Sequence, residues 1–373
     1  MKKILHILPC LELGGTETFV MNHYRYIDRT EFQFDFLVFS KKDYPYIKEI
    51  ERLGGRVFFA SQPSLLHFLK FYRWFKQVIQ EGGPYTAIHC HANVGNAIPL
   101  LCGFLCNIRI RISHSHAVNQ MPCNVLRKLI FRGRKVLIRL FATQFLACSI
   151  DAGRSLYGDN FSEKKIKIIC NGIEVDRFAQ CDPEKVEKLK QTFGISEKND
   201  LIVGNISRFD SNKNQLFILD VFKVLLEKHP NAILLLGGVD GGMLHDVQDH
   251  VKLSEIEDHV RFLGKRQDIA ECLKLIDVYL FPSQHEGLGI ALLEAQASGC
   301  LCVASTGVPS VSNLEFGTAF YLELSRGAEY WANYIDKKLI TRIRPTNEEI
   351  REAFVKKRFD VEESLKELVK CYE

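Results

Sequence analysis

The chain has 373 residues, 46% hydrophobic and 25% charged, with a formal net charge of +4, enough material for two domains with full cores. No stretch approaches the ~18–20 uninterrupted apolar residues of a membrane-spanning helix, so no such helix is expected. The twelve cysteines are scattered, with no C-x-x-C and no zinc-ribbon spacing, so a disulfide scaffold and a structural zinc module are excluded as well.

The N-terminal run K-K-I-L-H-I-L-P-C is too short and polar for a signal peptide and reads as the first strand of a cytoplasmic domain. Strands are predicted at Ile4–Leu8, Phe34–Phe39, Arg56–Phe59, Ala87–Cys90, Ile110–Ser113, Phe145–Cys148 and Lys167–Ile169, with helical patterns between them. A turn, N-G-I-E-V-D-R-F, and the polar helix Pro183–Phe193 follow. The pattern restarts at Leu201, with strands at Ile233–Leu236, Val260–Phe262, Val278–Phe281 and Leu301–Ala304. Alternation of this kind predicts an α/β chain of two Rossmann-like, doubly wound parallel-sheet domains. Their expected spans are 1–178 and 179–346, hinged near Asn171–Phe178. A C-terminal helical segment, 347–373, is expected to cross back to the first domain.

Charge is unevenly spread. From Gly82 to Ile150 there is no Asp or Glu, while Arg109, Arg111, Arg127, Lys128, Arg132, Arg134, Lys135 and Arg139 all fall inside. Just upstream, Phe68, Phe71, Trp74 and Phe75 interleave with Lys70, Arg73 and Lys76. Basic residues mixed with aromatics on helices suit an anionic membrane surface, and equally a solvated face on a core-packed helix. Nucleic acid is not expected, because no helix-turn-helix, RNP-type or zinc motif occurs.

Candidate chemistry collects at strand ends. Gly14 and Gly15 follow the first strand and open a helix, a phosphate-loop position without the G-x-G-x-x-G of a nicotinamide or flavin site. His89 with His91, and His114 with His116, are pairs at period-two spacing, so each pair shares a face. A metal there is not expected, since no carboxylate lies near either pair in sequence. One of His114 and His116 is expected to contact a donor sugar. Arg208 and Lys213 flank the loop that opens the helix from Asn214, a planar fork and a point charge suited to phosphate oxygens.

The densest signal is S-Q-H-E-G-L-G-I-A-L-L-E-A-Q-A-S-G. Gly287 and Gly289 leave the backbone bare where a strand turns into a helix, and the first N–H groups of that helix have no intrahelical partner. Glu286 precedes the helix and Glu294 lies one turn inside it. Each carboxylate can accept two hydrogen bonds from a vicinal diol, with a diphosphate lying between them over the glycines.

Together, G-G-T-E after the first strand, H-S-H-A after the fifth, the N-G-I-E hinge, R-F-D-S-N-K-N and the E-x7-E block resemble the retaining family 4 glycosyltransferases of the GT-B fold. The match to the capsular and exopolysaccharide branch rests on H-S-H-A and E-A-Q-A-S-G. One departure is Glu174, where the hinge motif commonly carries Asp. The resemblance implies two domains facing across a cleft and a UDP-sugar as donor substrate, with no cofactor and no metal. It implies that Glu294 holds the ribose and Glu286 the transferred sugar. Arg208 and Lys213 would bind the diphosphate, with the backbone of Gly287, Leu288, Gly289 and Ile290 also in reach. The acceptor would be a glycan or a polyprenyl-linked glycan, with its pocket built from the loops 11–17 and 116–125; the basic, aromatic first half suggests the lipid-linked form, at the inner membrane face. Two other classes fit parts of the pattern: a UDP-sugar epimerase of the same architecture, and a membrane-associated scaffold without turnover.

Overall fold

The computed structural model describes the whole chain apart from Leu13, Leu65, residues 119–123 and Ile343. The chain forms two compact units, Met1–Gly172 joined by Val361–Glu373, and Ile173–Asp360. The first boundary thus falls at Gly172 rather than at the expected residue 178. The expected C-terminal helical segment consists of two helices. The first of them belongs to the second unit, and the chain rejoins the first unit only from Val361.

In the first unit, seven strands run β1 (Lys2–Leu8), β2 (Phe32–Val38), β3 (Val57–Phe59), β4 (Ala87–Cys90), β5 (Ile110–Ser115), β6 (Gln144–Ala147) and β7 (Ile166–Ile168). All pair in parallel in the order β3-β2-β1-β4-β5-β6-β7. Buried on both faces, such strands are almost uninterrupted hydrophobic runs, and every residue of β2 is buried. The covering helices are α1 (Gly15–Tyr26), α2 (Ile47–Arg52), α3 (Phe68–Gly82), α4 (Ala97–Leu105), α5 (Val125–Phe141) and α6 (Ile150–Tyr157). One core joins Phe19, Val20 and Tyr24 of α1 to the sheet through Phe34 and Phe36. The other lies under α3 and α4, where Phe71, Phe75, Ile98 and Leu100 meet Leu5, Ile7 and Ile88.

The second unit holds α7 (Val175–Ala179), α8 (Pro183–Phe193), β8 (Ile202–Ile206), α9 (Gln215–Leu226), β9 (Ile233–Gly237), α10 (Leu244–Leu253), β10 (Val260–Gly264), α11 (Ile269–Lys274), β11 (Val278–Phe281), α12 (Ile290–Ala297), β12 (Leu301–Ser305), β13 (Ala319–Leu322), α13 (Gly327–Ile340) and α14 (Asn347–Lys356). Its sheet is parallel in the order β10-β9-β8-β11-β12-β13. Strand β13 was not expected from the sequence. The core packs Ile218, Phe222 and Leu225 of α9 with Trp331 and Ile335 of α13 onto β8, β9 and β11. After α14, which opens with a complete Thr346–Glu349 capping box, Arg358 takes a left-handed φ of 60°. That ends the helix before α15 (Val361–Val369) begins.

In each sheet the strand order reverses once, between β1 and β4 and between β8 and β11. Open parallel sheets bind ligands beyond the carboxyl ends of the strands at such a reversal. The residues singled out in the sequence follow these strands: Gly14 and Gly15 after β1, His91 after β4, Arg208 and Lys213 after β8, and Glu286 after β11.

All eleven cysteines among the described residues are free thiols. No helix among the described residues is long and apolar enough to cross a membrane. The basic, aromatic α3 places Phe71 and Phe75 in the core, so most of its aromatic content is ordinary packing.

Candidate functional site

In the second unit the loops after β8 and β11 are tied into one structure. Asn212 Nδ2 donates to the His285 carbonyl at 2.8 Å, and its Oδ1 accepts from the His285 N–H at 3.0 Å. The Asn212 carbonyl also accepts from the Gln284 N–H at 2.8 Å. Held this way, Lys213 Nζ lies 2.5 Å from Glu286 Oε1 and 5.0 Å over the Phe281 ring. Both side chains are largely buried, 19% and 12% exposed respectively, so the pair is shielded from full solvent screening. Arg208 sits on the same β8 loop, mostly exposed, with Nε 2.7 Å from Asp210 Oδ2. Asp210 Oδ1 also accepts from the Lys213 N–H at 3.1 Å. The structure pairs Lys213 with Glu286 and leaves Arg208 on the same β8 loop, paired with Asp210; Asp210 and Asn212, which organise these loops, were not singled out in the sequence. D-S-N-K-N carries the turn-forming composition that could have pointed to both.

The β11 loop enters α12 through Gly289, whose φ of +82° only glycine adopts without strain. Among the described residues, no acceptor takes the N–H groups of Gly287, Leu288, Gly289 or Ile290. These are orphan donors at the positive end of a helix. The loop is pinned from the other side by Gly307, whose carbonyl accepts from the Glu286 N–H at 3.1 Å. A side chain on Gly307 would place its Cβ 2.0 Å from the Gln284 carbonyl oxygen.

Glu294 lies one turn inside α12 and makes no ion pair with the two cations. Burial raises its pKa to about 7, Arg177 works the other way, and Glu174 adds to the rise. Arg177 itself is anchored by a 3.0 Å bond from Nη2 to the Gln267 carbonyl. Both neighbours come from N-G-I-E-V-D-R-F, read in the sequence only as a hinge turn. Their approach to α12 is a long-range feature that no local pattern carries.

In the first unit, Gly14 caps α1 without a side-chain hydrogen bond. The Glu17 carboxyl occupies this turn: its Oε2 would lie 2.5 Å from a Cβ on Gly14, and its Oε1 accepts from Cys10 Sγ at 3.1 Å. Burial pushes the Glu17 pKa up. Gly15 is the first residue of α1. Within the loops expected to receive an acceptor, Leu13 and residues 119–123 lie outside the described residues.

The histidine pairs merge into one cluster with His6, which the sequence did not single out. His6 Nδ1 lies 3.0 Å from His91 Nε2, and His91 Nδ1 lies 2.8 Å from His116 Nε2. Separately, Tyr372 Oη lies 2.8 Å from His89 Nδ1, and His89 Nε2 lies 3.1 Å from His114 Nδ1. His114 is fully buried and His116 half-buried, and the unpartnered nitrogen of each, His114 Nε2 and His116 Nδ1, is buried. Burial keeps the rings neutral, lowering the pKa of His6 and of His116 to about 3 and those of His89, His91 and His114 well below the usual value. In the sets His6–His89–His91 and His91–His114–His116 the ring nitrogens approach within 4.8 Å of one another. That donor type could hold a zinc-class ion, although the rings of His114 and His116 stack at 4.0 Å and 29°, which keeps their in-plane lone pairs from converging on one point.

Comparison with known proteins agrees with this geometry. The sequence profile described as "Glycosyl transferases group 1" matches residues 186–353, and that described as "Glycosyltransferase Family 4" matches residues 13–177. EpsF of Bacillus subtilis (strain 168), whose glycosyltransferase name is provisional, is 32% identical over the whole of this chain and 96% of its own length. The capsular polysaccharide biosynthesis glycosyltransferase CapH of Staphylococcus aureus is 26% identical over 96% of this chain and 99% of its own. The crystal structure of Anabaena Alr3699/HepE in complex with UDP-glucose has the same fold, with a TM-score of 0.81 at 21% identity over 99% of each chain. Two Rossmann-like units, both family profiles and full-length similarity to EpsF place the chain among the family 4 glycosyltransferases of the GT-B fold.

Proposed function

We propose that this enzyme moves a hexosyl unit from a UDP-sugar to a glycan acceptor with retention of anomeric configuration, in the assembly of a capsular or exopolysaccharide. The observation that carries the reading is the Lys213–Glu286 pair at the strand-order reversal of the second sheet. In the donor complex each partner exchanges its ion-pair contact for one to substrate. Lys213 turns to the diphosphate and Glu286 to hydroxyls of the transferred sugar. Arg208 and the free N–H groups of Gly287–Ile290 add positive potential at the same phosphates, and Glu294 accepts both hydroxyls of the ribose. His114 and His116 are both candidates for a hydrogen bond to a donor-sugar hydroxyl: each has one ring nitrogen without a partner, buried in both.

The reaction breaks the bond between the anomeric carbon and the phosphate oxygen, and the electron pair leaves with the nucleoside diphosphate. The acceptor hydroxyl adds to the face just vacated, and its proton passes to a phosphate oxygen of the leaving group. The enzyme's task is to stabilise negative charge on that leaving group, which Lys213, Arg208 and the α12 N-terminus do without a metal ion.

The acceptor is proposed to be lipid-linked and the enzyme peripheral on the cytoplasmic face of the membrane. Helix α5 supports this. It buries only Phe131 and Ile138, while Leu126, Leu129 and Leu140 are each about two-thirds exposed. Arg127, Lys128, Arg132 and Arg139 are interleaved on it, in a stretch without carboxylates. Apolar side chains among cations on one solvent-facing helix match anionic headgroups over acyl chains.

The direct test is a thermal-shift screen of nucleotide sugars, followed by transfer from the stabilising donor to a polyprenyl-diphosphate glycan. Stabilisation by UDP and UDP-sugars over the other nucleotides is expected. A chain indifferent to every nucleoside diphosphate would overturn the reading, and interconversion of UDP-sugars without an acceptor would mean an epimerase.

A further inference from the structure

Strands β8 and β11, on either side of the reversal in the second sheet, pair as a ladder at two positions, Val278 with Val203 and Tyr279 with Gly204. Both strands continue past that point, to Ile206 and Phe281, and there side chains take over the bridging. Asn205 Nδ2 donates to the Leu280 carbonyl at 2.7 Å, and Tyr279 Oη donates to the Ile206 carbonyl at 3.0 Å. Both side chains are buried. Beyond the ladder, the spacing of the two strand ends is thus set by buried amide and hydroxyl groups, and with it the spacing of the loops they lead into.

From Asn205 the bonds continue under the loop that carries both cations. Asn205 Oδ1 accepts from Ser207 Oγ at 2.5 Å. Gln215 Nε2 donates to Ser207 Oγ at 3.2 Å and to the Arg208 carbonyl at 2.9 Å. The two ends fix every direction, because the Leu280 and Arg208 carbonyls can only accept and so decide which atom of each amide faces them. Both hydrogens of the Gln215 amide nitrogen are then used. Gln215 is 2% exposed and is the first residue of α9. Its side chain folds back to the chain entering the loop and closes residues 208–214 at their base. Its Oε1 is buried without a partner among the described residues, a cost that an apolar side chain would avoid and that the two bonds of the nitrogen offset.

We propose that Gln215, with Ser207 and Asn205 behind it, is a positioning residue for the donor diphosphate: it holds the 208–214 loop closed, so that Lys213 and Arg208 meet the phosphates from a fixed main chain. This rests on the reading above that these cations bind the diphosphate. Asn205 and Gln215 are buried, so they act through the loop and not on the substrate. The other ties of the loop, from Asn212 to His285 and from Asp210 to the Lys213 N–H, hold it further along, and Gln215 holds its base. With the base untied the loop takes up more conformations, and ordering them on binding costs affinity at the diphosphate. The ribose is assigned to Glu294, on α12 and not on this loop, so the nucleoside end of the donor is left as it was.

The test compares UDP with uridine on the full-length protein, UDP by calorimetry and uridine by saturation-transfer NMR. In Gln215→Met, which keeps the volume and removes both bonds, UDP is expected to bind about tenfold more weakly and uridine as in the wild type. Ser207→Ala, a smaller change to the same chain of bonds, is expected to weaken UDP about threefold and again to spare uridine. A general disturbance of the unit would weaken both ligands alike, and that outcome overturns the proposal. So does an unchanged UDP affinity in Gln215→Met. If Gln215→Met does not fold, Ser207→Ala decides by the same ratio. The wild type separates this proposal from the reading beneath it. Wild-type protein that binds UDP no more tightly than uridine has no diphosphate contact at these cations, and both fall. A wild type that prefers UDP, with variants that keep the whole of that preference, removes only the role of Gln215.

Discussion

Lys213 Nζ and Glu286 Oε1 stand 2.5 Å apart, although the residues are carried by different loops and separated by 73 positions in the chain. The pair holds two opposite charges, largely shielded from solvent, in the place where a sugar diphosphate would need one of each.

Removing one partner therefore has two separable effects. In Lys213→Ala the Glu286 carboxylate loses its cation while remaining mostly buried, which costs about 1–3 kcal/mol of stability. The leaving group also loses its compact positive charge, and transfer is expected to fall by about 10²–10³-fold. In Glu286→Gln the volume is kept and the stability change is small, yet transfer is expected to fall comparably. Urea melts alongside initial rates would show this. A Glu286→Gln enzyme that retains wild-type turnover would remove the pair from the mechanism.

The fold was legible in the sequence to a degree set by how local its causes are. Ala87–Cys90, Val278–Phe281 and Pro183–Phe193 match their predicted limits, because apolar runs bounded by turn residues or opened by an N1 proline define themselves. Strand β13 escaped because Ala319–Leu322 is four residues long and its burial comes from pairing with β12, not from its own pattern. The break after α14, at the left-handed Arg358, carries no glycine to mark it, so the sequence places no boundary inside the C-terminal helical segment.

The candidate site divides along the same line. Glu286, Glu294 and the glycines were visible because a strand–turn–helix unit places them within one short segment. The partnership of Glu294 with Arg177 and Glu174, and of His6 with His91, depends on which distant segments pack together. Strand register brings His6 opposite His89, and α15 leads to Tyr372, which bonds to the same ring. Neither follows from spacing.

Glu294 should make donor affinity depend on pH. In the proposed donor complex its carboxylate would accept both ribose hydroxyls only when ionised, and burial raises its pKa to about 7. UDP binding is therefore expected to be strongest above pH 8 and to weaken about tenfold per unit as pH falls below 7. Calorimetric titration from pH 5.5 to 8.5 would reveal it. Glu294→Gln should bind weakly and without this pH dependence, and a wild-type affinity flat across the range would refute the assignment.

The same shift has a stability consequence of opposite sign. The unfolded carboxyl ionises near 4.5 and the folded one near 7, so the native state holds the extra proton between those values. Stability is then lost as pH rises through that window, and the whole loss is present above it. Glu294→Gln cannot ionise and escapes this. Its melting temperature should exceed wild type by about 3 °C at pH 8 and equal it at pH 4. Equal melting temperatures at pH 8 would show that the folded carboxyl is not held back from ionising.

Gly307 should matter out of proportion to its size. Its missing side chain lets the Gln284 carbonyl approach to where a Cβ would sit 2.0 Å away, and its own carbonyl holds the Glu286 N–H. Gly307→Ala must push the β11 loop outward, because the obstructing atom is backbone and cannot rotate aside. We expect about 1–3 kcal/mol of destabilisation and a fall in kcat larger than any rise in donor KM, since the displaced residue is the one assigned to the transferred sugar. A variant as active as wild type would mean that the loop's position is not critical.

The α5 face predicts a salt-dependent association with lipid. Each cation near an anionic bilayer contributes about 1 kcal/mol, and the attraction fades as the Debye length shortens. Arg132→Glu with Arg139→Glu replaces two attractive charges by two repulsive ones on exposed positions, so the fold should be unaffected. Co-sedimentation with vesicles containing phosphatidylglycerol is expected to drop by at least about 30-fold for this variant at 0.1 M salt. Leu129→Ser with Leu140→Ser should weaken binding more evenly across salt, because insertion of apolar side chains is not screened. Wild-type protein that stays in the supernatant at 0.1 M salt would leave α5 without a membrane role.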